Sequence, residues 1–242
     1  MSESTLKDRI ERVRQEIKEA CERAGRSPKE VKLVAVSKRF PAERVEEAVH
    51  LGLNVFGENY VQEAVKKIDL LRSKGISLEW HLIGHLQKNK VKQAVRYFDW
   101  IETIDSIPLL EKVVYQASKI DETVNCLVQV NISKDPGKAG LHPEELRDFF
   151  TQALKRIDPS RVRLMGLMTI TKYSPQPEGA RPWFKALRLL RDELVGEFDR
   201  GLDLPHLSMG MSNDYSVAIE EGATIVRVGQ AIFGPRPVQT TK

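Results

Sequence analysis

The sequence predicts an α/β fold, a parallel (β/α)8 TIM barrel, on three observations. Eight short apolar runs rich in β-branched residues recur along the chain; a helix-period segment accompanies each; and 242 residues without a low-complexity linker is about what eight βα units occupy. An open doubly wound sheet fits the same periodicity, because alternation of elements does not report closure.

The first element is an amphipathic helix over residues 6–24. Leu6, Ile10, Val13, Ile17, Ala20 and Cys21 recur at three- and four-residue steps, and Gly25 ends the pattern. Residues 31–37 are a β-branched run suited to a strand buried on both faces. Pro41 opens a helix that carries Val45, Ala48 and Val49 and stops at Gly52. Further strands are expected at 54–57, 80–83, 100–104, 126–131, 164–168, 207–209 and 225–228, with helices at 60–71, 89–95, 107–118, 143–155, 181–198 and 214–221. Residues 173–179, with two prolines and a glycine, read as an exposed loop. The expected organisation is one domain over 1–242, with an N-terminal helix in 1–25 and an uninformative tail at 235–242.

Composition narrows the class. Hydrophobic residues make up 41% and charged residues 30%, which excludes disordered and collagen-like chains. Net charge is 38 − 34 = +4 with the signs interspersed, so a dedicated nucleic-acid binder is not expected. Cys21 and Cys126 have no metal-like spacing and read as reduced structural thiols, which suits a cytoplasmic location. Met1-Ser2-Glu3-Ser4 leads into a charged amphipathic stretch without a signal-like apolar segment, and no run long enough for a membrane span occurs.

In a barrel of this type the chemistry lies at the C-terminal ends of the strands. Lys38 directly follows the first strand. A lysine there can be partly desolvated and offer a neutral amine for a Schiff base, or it can snorkel into water. The stretch Ser208-Met209-Gly210-Met211-Ser212-Asn213-Asp214 leads from the seventh strand into a helix, either as an ordinary cap or as a turn that aims N–H groups at an anion. Gly229, after the eighth strand, exposes backbone amides, and the loops after strands seven and eight commonly bind phosphate in such barrels. Arg227 lies in an apolar strand and needs a partner, either a carboxylate such as Glu58 or a ligand atom. Asn59 supplies an amide at the same mouth. His81 and His85 stand four apart, but Gly84 and the strand context spoil a zinc pair; no metal is expected, and His81 reads as a buried hydrogen-bonded residue. Nucleophile-elbow and phosphate-loop motifs are missing, which removes the usual support for hydrolases and nucleoside triphosphatases.

Six motifs occur in one order: Val34-Ala35-Val36-Ser37-Lys38, Gly57-Glu58-Asn59-Tyr60, Trp80 through Lys90, Met165-Gly166-Leu167-Met168, Leu207 through Ser212, and Val226-Arg227-Val228-Gly229 through Phe233-Gly234. Together they closely resemble the pyridoxal 5′-phosphate homeostasis protein family, over nearly the whole chain. The resemblance implies a PLP-binding barrel of fold type III, like the N-terminal domain of alanine racemase but without the racemases' second, β-rich domain. It implies that Lys38 forms a Schiff base with pyridoxal 5′-phosphate, that Ser212, Gly229 and the Met211 amide hold the phosphate, that Arg227 faces the pyridine nitrogen, and that Asn59 lies beside the ring. A cationic arginine disfavours protonation of that nitrogen and weakens the electron sink. The implied function is a non-catalytic carrier or regulator of the cofactor in vitamin B6 and amino-acid homeostasis. It would be a cytoplasmic monomer, with PLP-dependent enzymes as recipients. Two alternatives stay open: an amino-acid racemase using Lys38 and a second base such as Tyr60 or His81, and a barrel that binds an unrelated phosphorylated metabolite.

Overall fold

The computed structural model describes residues 4–120, 122–198 and 201–235. Residues 1–3 and the expected tail beyond residue 235 lie outside the described residues. Eight parallel strands run in sequence order: β1 (Lys32–Val36), β2 (Val55–Glu58), β3 (Glu79–Leu82), β4 (Trp100–Ile104), β5 (Val124–Gln129), β6 (Val162–Met168), β7 (His206–Ser208) and β8 (Ile225–Val228). β1 pairs with β2 on one side and with β8 on the other, so the sheet closes into a barrel and the open alternative is excluded. Every strand and helix expected from periodicity is present, with boundaries shifted by a few residues.

The helices are α1 (Leu6–Arg23), α2 (Ala42–His50), α3 (Val61–Ser73), α4 (Val91–Tyr97), α5 (Ile107–Ala117), α6 (Leu146–Ala153), α7 (Arg181–Glu197), α8 (Tyr215–Glu220) and α9 (Gln230–Phe233). α1 begins at a capping box, in which the Thr5 hydroxyl accepts from the Asp8 amide while the Asp8 carboxylate accepts from the Thr5 amide. Its apolar face packs outside the ring, on α8 and α9. The helices expected at 89–95 and 143–155 begin as short 3₁₀ turns, Lys88–Lys90 and Pro143–Glu145. α9, four residues long, was too short for periodicity to reveal. No described helix is long and apolar enough to cross a membrane.

Strand alternation divides the buried side chains into two sets. Outward residues such as Phe56, Trp80, Leu82, Ile101 and Val226 join Ile68, Leu71, Val113, Phe150 and Leu187 of the helices in a continuous outer core. Inward residues Val34, Trp100, Leu127, Met168 and Ile225 form a smaller plug inside the barrel. The inward positions of β1, β3, β4, β7 and β8 also carry Lys32, Glu79, His81, Glu102, Ser208 and Arg227, linked to one another by hydrogen bonds and ion pairs. A polar column therefore runs through the barrel beside the plug, from its N-terminal end toward its C-terminal mouth.

Candidate functional site

Lys38 sits in a tight turn directly after β1. Phe40 N–H donates to the Ser37 carbonyl at 3.0 Å, and Arg39 takes the left-handed conformation at φ 66° that non-glycine residues seldom adopt. The turn is braced from behind. Lys67 of α3, 5% exposed, donates from Nζ to the Ser37 carbonyl at 2.9 Å and to the fully buried Glu58 carboxylate. Ser37 Oγ–H donates to the same Glu58 oxygen at 2.7 Å, and the Arg39 amide donates to Glu63 at 2.6 Å. Burial pushes the Glu58 carboxyl above its ordinary range, and the neighbouring Lys67 and Ser37 offset only part of that rise.

Glu58 is thus not the partner of Arg227. It shares its strand face with Phe56, which points outward, so Glu58 lies between sheet and helices while Arg227 points into the barrel. The guanidinium, 3% exposed, donates to Ser208 Oγ at 2.5 Å and to the Thr169 carbonyl at 2.6 Å, and lies 3.9 Å from the Glu102 carboxylate. Burial pulls its pKa down from the usual guanidinium range, against the opposing charges of Glu102 and Asp214.

A small cradle forms where β8 enters α9, in which the Ser212 hydroxyl accepts from the amides of Gly229 and Ala231, each at 3.2 Å. A Cβ on Gly229 would come within 3.2 Å of the Val36 carbonyl, which places this cradle against the end of β1, two residues before Lys38. In the loop after β7 the Met211 amide donates to the Asp214 carboxylate at 2.7 Å, closing a turn. Gly210 makes that loop possible at φ 92°, where an added Cβ would fall 2.6 Å from Ala218 Cβ.

Beside the Lys38 turn, Asn59 follows β2, the neighbour of β1, and its Oδ1 is buried without a hydrogen-bond partner, an atom that a bound polar group would satisfy. Gly84 packs directly on its backbone, where a Cβ would lie 2.2 Å from the Asn59 carbonyl. A cleft of about 400 Å³, lined by Asn59, Tyr60, Gly84, His85, Gln87 and Lys90, opens on this side of the rim. Lys38, Ser212 and Arg227 do not line it.

His81 is fully buried, with Nδ1 2.5 Å from Glu102 and Nε2 2.7 Å from Glu79. Burial alone would lower its pKa, but the two carboxylates outweigh burial and raise it. His85 is exposed and pairs with Asp105 at 3.4 Å, and no cluster of three or more metal-ligating residues occurs among the described residues. The sequence reading identified Lys38, Asn59, Ser212, Arg227 and Gly229, and the fold brings them to one end of the barrel. It missed Lys67 as the brace and Glu102 with Ser208 as the partners of Arg227. Parity along β2 was a signal for the first, since Glu58 shares a face with Phe56.

Comparison with known proteins supplies the family. The family profile described as alanine racemase, N-terminal domain, matches residues 9–237. The pyridoxal phosphate homeostasis protein of Aquifex aeolicus (strain VF5) is 45% identical over 229 residues, covering 95% of this chain and 97% of that protein. Its namesake in Escherichia coli (strain K12) is 41% identical over 94% of this chain and 95% of its own length. The structure of PipY from Synechococcus elongatus PCC7942 with PLP bound superposes with a TM-score of 0.82 at 35% identity, covering 95% of this chain and all of that one. An alanine racemase from Clostridium difficile 630, at 15% identity and a TM-score of 0.67, shares the fold over 58% of its own length. With near end-to-end similarity to these relatives, this chain belongs to the pyridoxal phosphate homeostasis protein family, within the wider family of alanine racemase N-terminal domains.

Proposed function

We propose that this chain holds pyridoxal 5′-phosphate reversibly through a Schiff base at Lys38, and carries or regulates the cofactor without using it for catalysis. The observation that carries the reading is the meeting of the Lys38 turn with the Ser212–Gly229 cradle at the ends of the adjacent strands β1 and β8. An amine and an anion cradle side by side suit a small aldehyde that also bears a phosphate. The PLP-bound relative supports the choice of cofactor.

When bound, the cofactor would supply an aldehyde for a C=N bond and a pyridine ring able to delocalise electrons. Lys38 would donate the amine, form the C=N bond with loss of water, and be released again by hydrolysis. The Ser212 hydroxyl and the Gly229 amide would hold the phosphate, and Asn59 would lie against the ring. Arg227 has only donors and stays charged, so the ring nitrogen it faces would remain an unprotonated acceptor, a poor state for stabilising carbanions. His81 does not fit the role of a second base, because both of its nitrogens are engaged in the barrel interior. A reducing cytosol suits Cys21 and Cys126, both buried free thiols.

The test is borohydride reduction of the cofactor-loaded protein followed by peptide mapping. A phosphopyridoxyl label on Lys38 is expected, and a label at another lysine overturns the reading. The same preparation incubated with amino acids in deuterium oxide should show no exchange at Cα; exchange would return the racemase alternative.

A further inference from the structure

We propose that Glu102 and His81 are positioning residues which, through Ser208, set how much positive potential Arg227 presents to a ligand ring at the barrel mouth. This rests on the reading above, in which the ring of pyridoxal 5′-phosphate lies against Arg227.

Both imidazole nitrogens of His81 face carboxylate oxygens, Glu102 Oε1 at 2.5 Å and Glu79 Oε1 at 2.7 Å. A neutral imidazole has a single N–H and would set a lone pair against one of those oxygens, whereas an imidazolium satisfies both. Trp100 stacks on the ring, its centroid 5.2 Å away and its plane within 6°, and shields it from water. The second oxygen of Glu102 accepts from the Ser208 hydroxyl at 2.5 Å, and that hydroxyl accepts from Arg227 Nη1 at 2.5 Å. One carboxylate is therefore shared between His81 and Arg227. Lys32, 2.5 Å from Glu79, completes a column whose charges alternate from the N-terminal end of the barrel to its mouth.

The other groups facing the column leave this balance in place. His206 on β7 is pushed toward its neutral form by burial and by the nearby Lys32 and His81. Asp214, after β7, adds a carboxyl whose pKa burial raises, with Arg227 acting against that rise. The Thr169 carbonyl takes the remaining Arg227 donor contact and carries no charge.

Sharing has a directional consequence. If His81 loses its charge, Glu102 answers to Arg227 alone and the potential at the mouth becomes less positive. If Glu102 loses its charge, Arg227 loses a counter-charge only 3.9 Å away and the potential becomes more positive. Any accompanying loss of the His81 proton lies one link farther off and does not cancel the change, because Coulomb interactions weaken with distance.

The experiment compares dissociation constants for pyridoxal 5′-phosphate and its N-methylated analogue, whose ring carries a fixed positive charge, by absorbance titration of the full chain. His81→Gln should shift the affinity ratio toward the methylated ligand by about tenfold, and Glu102→Gln should shift it away by a similar factor. A purely structural role would weaken both ligands alike, so an unchanged ratio, or shifts in the same direction, overturns the proposal. Nitrogen NMR of the unsubstituted protein gives a second readout that needs no variant to fold. Both His81 ring nitrogens should be protonated at neutral pH, and a neutral imidazole overturns the relay. Failure of Lys38 labelling would instead count against the cofactor reading and leave the NMR result standing as the test of the relay.

Discussion

Lys67→Met removes the ammonium behind the Lys38 turn while keeping an unbranched apolar stem. Three acceptors lose a donor: the Glu58 carboxylate, the Ser37 carbonyl at 2.9 Å and the Glu63 carboxylate at 3.5 Å. The Glu63 side chain keeps 31% of its exposure and can turn to water, so it adds little. Glu58 is fully buried and cannot. Stripping one partner from a buried ion pair costs about 3–5 kcal/mol. That loss has an escape route, because Glu58 can take up a proton. Burial already raises its pKa above the ordinary carboxylate value, and without Lys67 it rises further. A carboxyl whose folded pKa lies above its unfolded value destabilises the fold as pH rises through the folded pKa and costs least below the unfolded one. The variant should therefore lose most at about pH 8 and clearly less at about pH 5. For a chain of this size the alkaline loss corresponds to about 6–20 °C in melting temperature. The assay is thermal unfolding followed by circular dichroism at both pH values, with the Glu58→Gln, Lys67→Met double variant closing the cycle. The double variant should be more stable than Lys67→Met at the higher pH, since it has no buried carboxylate left uncompensated. A loss below about 1 kcal/mol at about pH 8, or the same loss at both pH values, would refute the reasoning.

Three further outcomes are expected. Lys38→Ala should abolish borohydride-trapped cofactor while shifting the melting temperature little, because Lys38 is a half-buried residue of a turn rather than of a strand or helix; mass spectrometry and thermal unfolding check the two halves. Ser212→Ala should weaken cofactor retention by about 1–2 kcal/mol, roughly five- to thirtyfold in the dissociation constant, the scale of a lost hydrogen bond to a charged group. Equilibrium dialysis measures it, and unchanged retention would move the phosphate elsewhere. Gly210→Ala forces a side chain into a φ of 92° with Ala218 Cβ 2.6 Å away, and should lower the denaturant midpoint even without cofactor.

The periodic parts of this fold were open to inspection in the linear chain, and the parts that depend on closure were not. Eight apolar runs separated by helix-period segments give the strands and helices, because each of those patterns is local. Whether β1 pairs with β8 is a contact between residues nearly two hundred positions apart, and no local pattern reports it. The same division holds at the site. Lys38, Ser212, Arg227 and Gly229 are singled out by position, at or near the ends of strands seven, eight and one, where a barrel of this type carries its chemistry. Their supporting residues were missed because partnership depends on which face of a strand a side chain occupies.

That face was nonetheless written in the sequence as parity. Glu58 stands two residues from Phe56, so both point out, and the glutamate must look for its cation among the helices, where Lys67 waits on α3. Glu79, His81 and Glu102 hold the opposite parity to Trp80, Leu82 and Ile101, so they point in and share the barrel with Arg227. Sorting charged residues by strand face, before asking which are close in sequence, would have separated a brace for the lysine from a partner for the arginine. The two networks reach the mouth from opposite sides of the sheet. One braces the Lys38 turn, and the other holds the Arg227 guanidinium.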